Sequence, residues 1–171
     1  MKGIIFDLDQ TLVDTKPVKQ LRENRQWNLI YPKVKYLKPY NGILEIINLL
    51  HINDIKLSVV TNSPRPYCER ILDYWNFNID NLVCFHDVKN RKPNKEPIEK
   101  AINLMEVNKN NVLSIGDDKN DIIASNNSGV ISIASMWDPS SSYEEIKGSS
   151  PNYICKDVYE LKNLLKDLNY I

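Results

Sequence analysis

Five short apolar runs, each stopping at polar residues, constrain this chain more than any other feature. They are Gly3 to Leu8, Leu57 to Val60, Leu82 to Phe85, Val112 to Ile115 and Val130 to Ala134. Short continuous runs of this kind are the pattern of strands buried on both faces. Between them, Ile43, Ile46, Ile47 and Leu50 recur at helical spacing, as do Cys68, Ile71, Leu72 and Trp75, and then Ile98, Ala101, Ile102 and Met105. A last set, Leu161, Leu164, Leu165 and Leu168, has the same period, and Gly42 and Pro97 are start signals for two of the helices. Buried strands alternating with amphipathic helices imply βαβ units. The expected architecture is a three-layer α/β/α, Rossmann-like core with a mainly parallel sheet of five to six strands. In open sheets of this kind the site lies beyond the carboxyl ends of the strands. The residues in those places are Asp7 and Asp9, Thr61 and Asn62, and Gly116, Asp117 and Asp118.

The 171 residues suit a single domain over 1–171, long enough to bury a proper core. No apolar run approaches a membrane span, and Asp7 and Asp9 interrupt the stretch where a signal peptide would be apolar. Cys68, Cys84 and Cys155 are odd in number and widely spaced, which fits reduced, buried thiols. A soluble cytoplasmic protein with no membrane partner is expected.

Two stretches break the strand–helix rhythm. Trp137 to Pro151 is rich in Ser and Pro and reads as a surface loop. Residues 15–40 hold Pro17, Pro32 and Pro39, with a short helix expected around Val18 to Trp27. Formal charge over the whole chain is zero, yet Asp14 to Lys38 contains seven basic and two acidic residues, +5, which leaves −5 elsewhere. Trp27, Tyr31, Tyr36 and Tyr40 are interleaved with these cations, a composition that can track a phosphate backbone and stack bases. Scattered charges are more often a solvated face, and that reading is preferred.

Carboxylates brought together repel unless a cation lies among them, and a hard, all-oxygen donor set favours Mg²⁺. Beside such an ion a carboxylate can attack phosphorus, and a second acid two residues on can protonate the leaving oxygen and later activate water. A strand-end hydroxyl with backbone amides, as at Thr61 and Asn62, suits phosphoryl oxygens. A lysine arriving from another loop would balance the remaining charge.

At this point the residues carry a family likeness. Asp7-Leu-Asp-Gln-Thr11 resembles the DxDxT signature of the haloacid dehalogenase superfamily in its phosphatase branch. Val59-Val-Thr-Asn62 is similar to the second motif of that family, and Arg91-Lys-Pro93 followed by Glu96-Pro-Ile98 to the third. Ile115-Gly-Asp-Asp-Lys-Asn-Asp121 resembles the fourth, GDxxxD. The four stand in family order and cover most of the chain.

The resemblance implies a Mg²⁺-dependent phosphatase. Asp7 would be the nucleophile that forms an aspartyl-phosphate, and Asp9 the general acid and base. Asp7, the Asp9 carbonyl and Asp117 would ligate the metal, with Thr11, Asp118 and Asp121 supporting them. Thr61, Asn62 and Lys92 would hold the phosphoryl group. Dehalogenation fits poorly, because it needs neither the metal nor the second acid. The gaps between motifs are too short for a full cap domain, so residues 15–40 would be at most a minimal cap. An open site of this kind would admit a small phosphate ester, or a larger phosphorylated substrate such as a nucleic-acid end or a protein. Gln10 stands where many members carry glycine, at a turn that favours positive φ. Lys95 replaces a second proline of the third motif, a surface change.

Two readings from other classes compete. A phospho-aspartate switch resembling a receiver domain shares the acid pair, the Thr and the Lys, but its phosphorylated Asp follows a middle strand of the sequence, not the first. A non-hydrolytic scaffold would not need the complete acid set.

Overall fold

The computed structural model describes all residues, Met1–Ile171. Its centre is a six-stranded sheet in which every pairing is parallel. The strands are β1 (Gly3–Phe6), β4 (Lys56–Val60), β5 (Asn81–Val83), β6 (Val112–Gly116), β7 (Ile131–Ser135) and β8 (Tyr153–Cys155), in the spatial order β5-β4-β1-β6-β7-β8. A separate two-stranded antiparallel ribbon joins β2 (Val13–Asp14) to β3 (Lys38–Pro39) and closes the base of the 15–40 segment. The chain leaves β1 toward β4 and β5, then returns to the other side of β1 to build β6, β7 and β8. The reversal at β1 opens the crevice where strand-end side chains can meet.

The period of two along each strand sorts its side chains between two helical layers. Ile4 and Phe6 of β1, Leu57 and Val59 of β4, and Leu113 and Ile115 of β6 face the larger core. That layer is supplied by α3 (Ile43–Ile52), α4 (Arg65–Tyr74) and α8 (Val158–Asp167), through Ile43, Ile46, Ile47 and Leu50, Tyr67, Cys68, Ile71 and Leu72, and Leu161 and Leu165. Ile5, Val60 and Val112 point the other way, against Ile98, Ala101, Ile102 and Met105 of α5 (Glu96–Met105) and Ala124 of α6 (Lys119–Ser128). Each fully buried Ile or Leu contributes about 1.5–3 kcal/mol, so the two layers fix β1 and its flanking acids from both sides.

The structure differs from the sequence reading in three stretches. β8 was not expected as a separate strand. Only its Cys155 is buried, so three residues give no apolar run. The segment from Trp137 to Pro151 is not only a loop: α7 (Tyr143–Gly148) starts at a Ser142 cap and buries Ile146 against Ile122 and Ala134. Asp138 in the same segment is almost wholly buried, hydrogen-bonded by Tyr40 and paired with Lys16 at 3.1 Å. The 15–40 segment folds as two short helices, α1 (Lys19–Glu23) and α2 (Trp27–Ile30), with 3-10 turns on either side. No helix is long and apolar enough to cross a membrane.

Candidate active site

A cavity of about 770 Å³ opens over the carboxyl ends of β1, β4 and β6, and only three of its 25 lining residues are hydrophobic. Asp7, Asp9, Thr61, Asn62, Lys92, Asp117, Asp118 and Asp121 all line it. The remaining predicted residue, Thr11, lies behind this surface. It is fully buried, and its hydroxyl donates to Asp117 Oδ1 at 3.1 Å.

Asp7 continues β1 by one residue, its amide donating to Ile115 O at 2.8 Å. Its side chain is 9% exposed and accepts from Lys92 Nζ at 2.7 Å through Oδ1. Lys92 comes from the loop before α5 and is equally buried. It also lies 2.5 Å from Asp121 Oδ1 and donates to Val60 O at 2.8 Å. A buried ammonium is stable only when its donors are all met, and here three acceptors meet them. Burial works against the Lys92 charge, but Asp121 and Asp7 outweigh it and hold the lysine above its ordinary range.

Asp117 follows β6. Burial and then the charges of Asp7 and Asp121 push its carboxyl up to about 9. Burial does the same to Asp7, and with Asp121 and Asp9 it outweighs Lys92, leaving Asp7 at about 7. Oxygens of Asp7, Asp117 and Asp121 lie within 4.8 Å of one another. When all three carboxyls are ionised, they and the one lysine sum to −2, a charge and an all-oxygen donor set that a divalent cation fits. Asp121 is otherwise engaged. Its Oδ2 accepts the Asp118 amide at 3.1 Å while Asp118 Oδ1 accepts the Asn120 amide at 2.7 Å, a reciprocal cap on α6. Asp118 is exposed and serves as the helix N-cap; Asp121 orients Lys92. Gly116 makes room for this: a Cβ there would come within 2.4 Å of Asp121 Cβ.

Thr61 is buried and its hydroxyl accepts the Ser63 amide at 3.0 Å, so it shapes the turn after β4 rather than capping α4. Asn62 is exposed and donates from its side chain to Lys92 O at 3.1 Å, holding the lysine loop against that turn.

Asp9 has partners the sequence did not announce. Its carboxylate accepts from Ser63 Oγ and Tyr67 OH, each at 2.7 Å, and pairs with Arg22 Nη1 at 2.7 Å. Tyr67 is fully buried at an apolar-periodic position of α4, where nothing distinguishes it from core. Burial and the adjacent Asp9 raise its phenol well above the usual range, so it acts as a fixed donor. Arg22 belongs to the basic segment, read from sequence as a solvated face. The structure corrects that for Arg22, while Lys33, Lys35 and Lys38 do stand exposed. Gln10 adopts φ +62°, the conformation a glycine would supply, and is buried at 7% exposure.

A parallel α/β sheet with an acid cluster and a buried lysine at its carboxyl edge defines a class of Rossmann-like hydrolytic sites. The particular family follows from comparison: the chain belongs to the haloacid dehalogenase-like hydrolases, whose sequence model matches residues 18–135. Among curated proteins it is similar to the pyrophosphatase PpaX of Halalkalibacterium halodurans, 29% identical over 133 residues, 77% of this chain and 61% of the relative. A PpaX of Bacillus cereus (strain ATCC 10987) is 26% identical over 167 residues, covering 96% and 76%. The chain thus spans about three fifths to three quarters of these relatives. A solved hydrolase from Pseudomonas syringae superposes with a TM-score of 0.83 at 16% identity, over 98% of this chain and 99% of that one, which shows the shared fold.

Proposed function

We propose that the chain is a Mg²⁺-dependent phosphomonoesterase, or a hydrolase of a closely related phosphoryl compound, acting through Asp7 in the cytoplasm. The observation that carries this is the Asp7–Lys92 pair at the floor of the cavity: Oδ1 takes the ammonium at 2.7 Å and leaves Oδ2 without a protein partner. Asp7 Oδ2 attacks phosphorus, and the bond to the leaving oxygen breaks as that oxygen takes a proton from Asp9, which would carry it in place of one of its three donors. Water then attacks the phosphorus of the aspartyl-phosphate, Asp9 takes the water's proton, and phosphate departs with Asp7 restored. Thr61, Asn62 and Lys92, which line the cavity, would hold the phosphoryl oxygens. Asp7, Asp117 and the Asp9 carbonyl would hold the magnesium ion, which when bound would screen the carboxylate from the phosphoryl charge.

The relatives named pyrophosphatase make inorganic pyrophosphate the first substrate to assay. Phosphate release is expected with Mg²⁺, and to fall by at least about 10³-fold in Asp7→Asn and to background in EDTA. Full activity in Asp7→Asn, or turnover indifferent to EDTA, would refute the reading. Stable phosphorylation without turnover would favour the phospho-aspartate switch instead.

A further inference from the structure

We infer that Arg22, seated by Gln10, is the specificity-determining residue of this site and selects substrates whose leaving group is itself anionic. The inference rests on the phosphoryl-transfer reading of the site. Asp9 must come within about 3 Å of the leaving oxygen to protonate it, and Arg22 Nη1 is 2.7 Å from Asp9 Oδ2. The guanidinium therefore stands beside the leaving group and away from the Lys92 end, where the transferred phosphoryl group is held.

Its orientation is fixed. Nη1 is held by Asp9, and Nη2 reaches Gln10 Oε1 at 3.4 Å, an oxygen that also accepts from Thr15 Oγ1 at 3.0 Å. Burial opposes the charge of Arg22, but Asp9 outweighs it and keeps the group cationic. Nε is buried and has no partner. A guanidinium carries five N–H donors in a fixed fork; Nη1 and Nη2 each make one contact here, so the residue, which lines the cavity, keeps further donors for an acceptor oxygen. Across the same cavity, Ser141 Oγ is also buried without a partner. These are the two orphaned buried side-chain atoms of the chain, and both belong to residues that line one cavity. The 15–40 segment contributes three cations to that lining, Lys19, Arg22 and Arg25, and one acid, Glu23, for a balance of +2.

Gln10 explains why a side chain is kept where glycine would be relaxed. A non-glycine residue at φ +62° carries a backbone cost, and here the side-chain oxygen, which joins Thr15 to Arg22, offsets it. Gln10 is a positioning residue; Arg22 is the group that would touch the ligand.

The test compares two ligands matched except for charge: glycolate phosphate, which ends in a carboxylate, and 2-hydroxyethyl phosphate, which does not. Binding is measured by calorimetry on the Mg²⁺-loaded Asp7→Asn protein, where no turnover is needed. Arg22→Ala is expected to weaken the carboxylate ester by about 10- to 100-fold and the neutral ester by no more than about twofold. Gln10→Gly should give the same selective loss in smaller measure while its melting temperature holds or rises, which a merely structural role would not produce. Arg22→Lys should fall between, and serves if Arg22→Ala does not fold. Equal weakening of both esters, or none, overturns the inference. In Asp7-intact protein, selective binding without hydrolysis would sink the hydrolase reading alone. Hydrolysis without Arg22-dependent discrimination would sink this inference alone.

Discussion

The acid cluster at the strand ends should write itself into the stability of the metal-free protein. Burial and mutual repulsion hold Asp7 at about 7 and Asp117 at about 9, against an ordinary 3.8. A carboxyl raised on folding means that the folded state binds more protons than the unfolded one, so stability falls as pH rises. The contribution is complete below pH 3.8 and is lost as pH climbs through the folded values. For Asp7 alone, the two pH units from 5 to 7 at ~1.4 kcal/mol each amount to about 3 kcal/mol. For a domain of this size that is about 6–12 °C in melting temperature. Asp117 extends the decline toward pH 9. Other shifted groups leave the window clear. Asp138, held to about 2 because its hydrogen bonds outweigh its burial, loses its contribution only below pH 4. The raised Lys92 acts only above its ordinary value of 10.5. The assay is thermal unfolding by circular dichroism from pH 5 to 9, with EDTA or with Mg²⁺. The melting temperature in EDTA should fall with pH, Mg²⁺ should restore more at pH 8.5 than at pH 5, and Asp117→Asn should flatten the curve. A metal-free melting temperature that rises between pH 5 and 7, or a Mg²⁺ shift equal at both ends, would refute the reasoning.

Lys92→Met removes the cation shared by Asp7 and Asp121. It should destabilise the metal-free protein by about 3–5 kcal/mol, tighten Mg²⁺ binding because the local charge becomes −3, and still cost at least about 10²-fold in kcat. Gly116→Ala forces a methyl into Asp121. It should lower kcat through the displaced Lys92 while leaving far-ultraviolet dichroism unchanged, and Asp121→Gly in the same background, which removes the Cβ that the methyl meets, should relieve the clash without recovering activity.

Most of the sheet was legible because burial on both faces leaves an uninterrupted apolar run, and the acids were legible because they end those runs. Asp7, Asp9, Thr61 and Lys92 could be paired with chemistry before any fold was known. Asp117 and Asp118 are adjacent and identical in type, and the order that makes Asp117 the ligand and Asp118 its support came only from the family resemblance. The backbone of β6 turns Asp117 toward Asp7, and the following residue becomes the cap of α6. What escaped depends on tertiary path. Tyr67 and Ser63 flank the start of α4, and only the approach of β1 to β4 places their hydroxyls on Asp9. α7 rests on a single buried side chain in a Ser-rich stretch, too little for periodicity to reveal.

The basic segment shows how a one-dimensional charge imbalance becomes local complementarity. Its +5 against −5 elsewhere left a polyanion surface as the alternative to the preferred reading of a solvated face. In three dimensions Lys16 is spent on Asp138 and Arg22 on Asp9, while Lys19 and Arg25 line the cavity over the acid cluster. The aromatics are committed as well: Trp27 packs on Tyr67 at 5.5 Å, Tyr31 lies under Arg70 at 4.1 Å, and Tyr40 donates to Asp138. Tyr36 is 60% exposed and carries the Lys35 ammonium over its ring at 5.1 Å. A groove for a nucleic-acid strand needs successive open rings along a cationic track, and this is the one exposed ring among the four aromatics. Part of the countercharge is thus turned inward through Lys16 and Arg22, while Lys33, Lys35 and Lys38 stay on the surface.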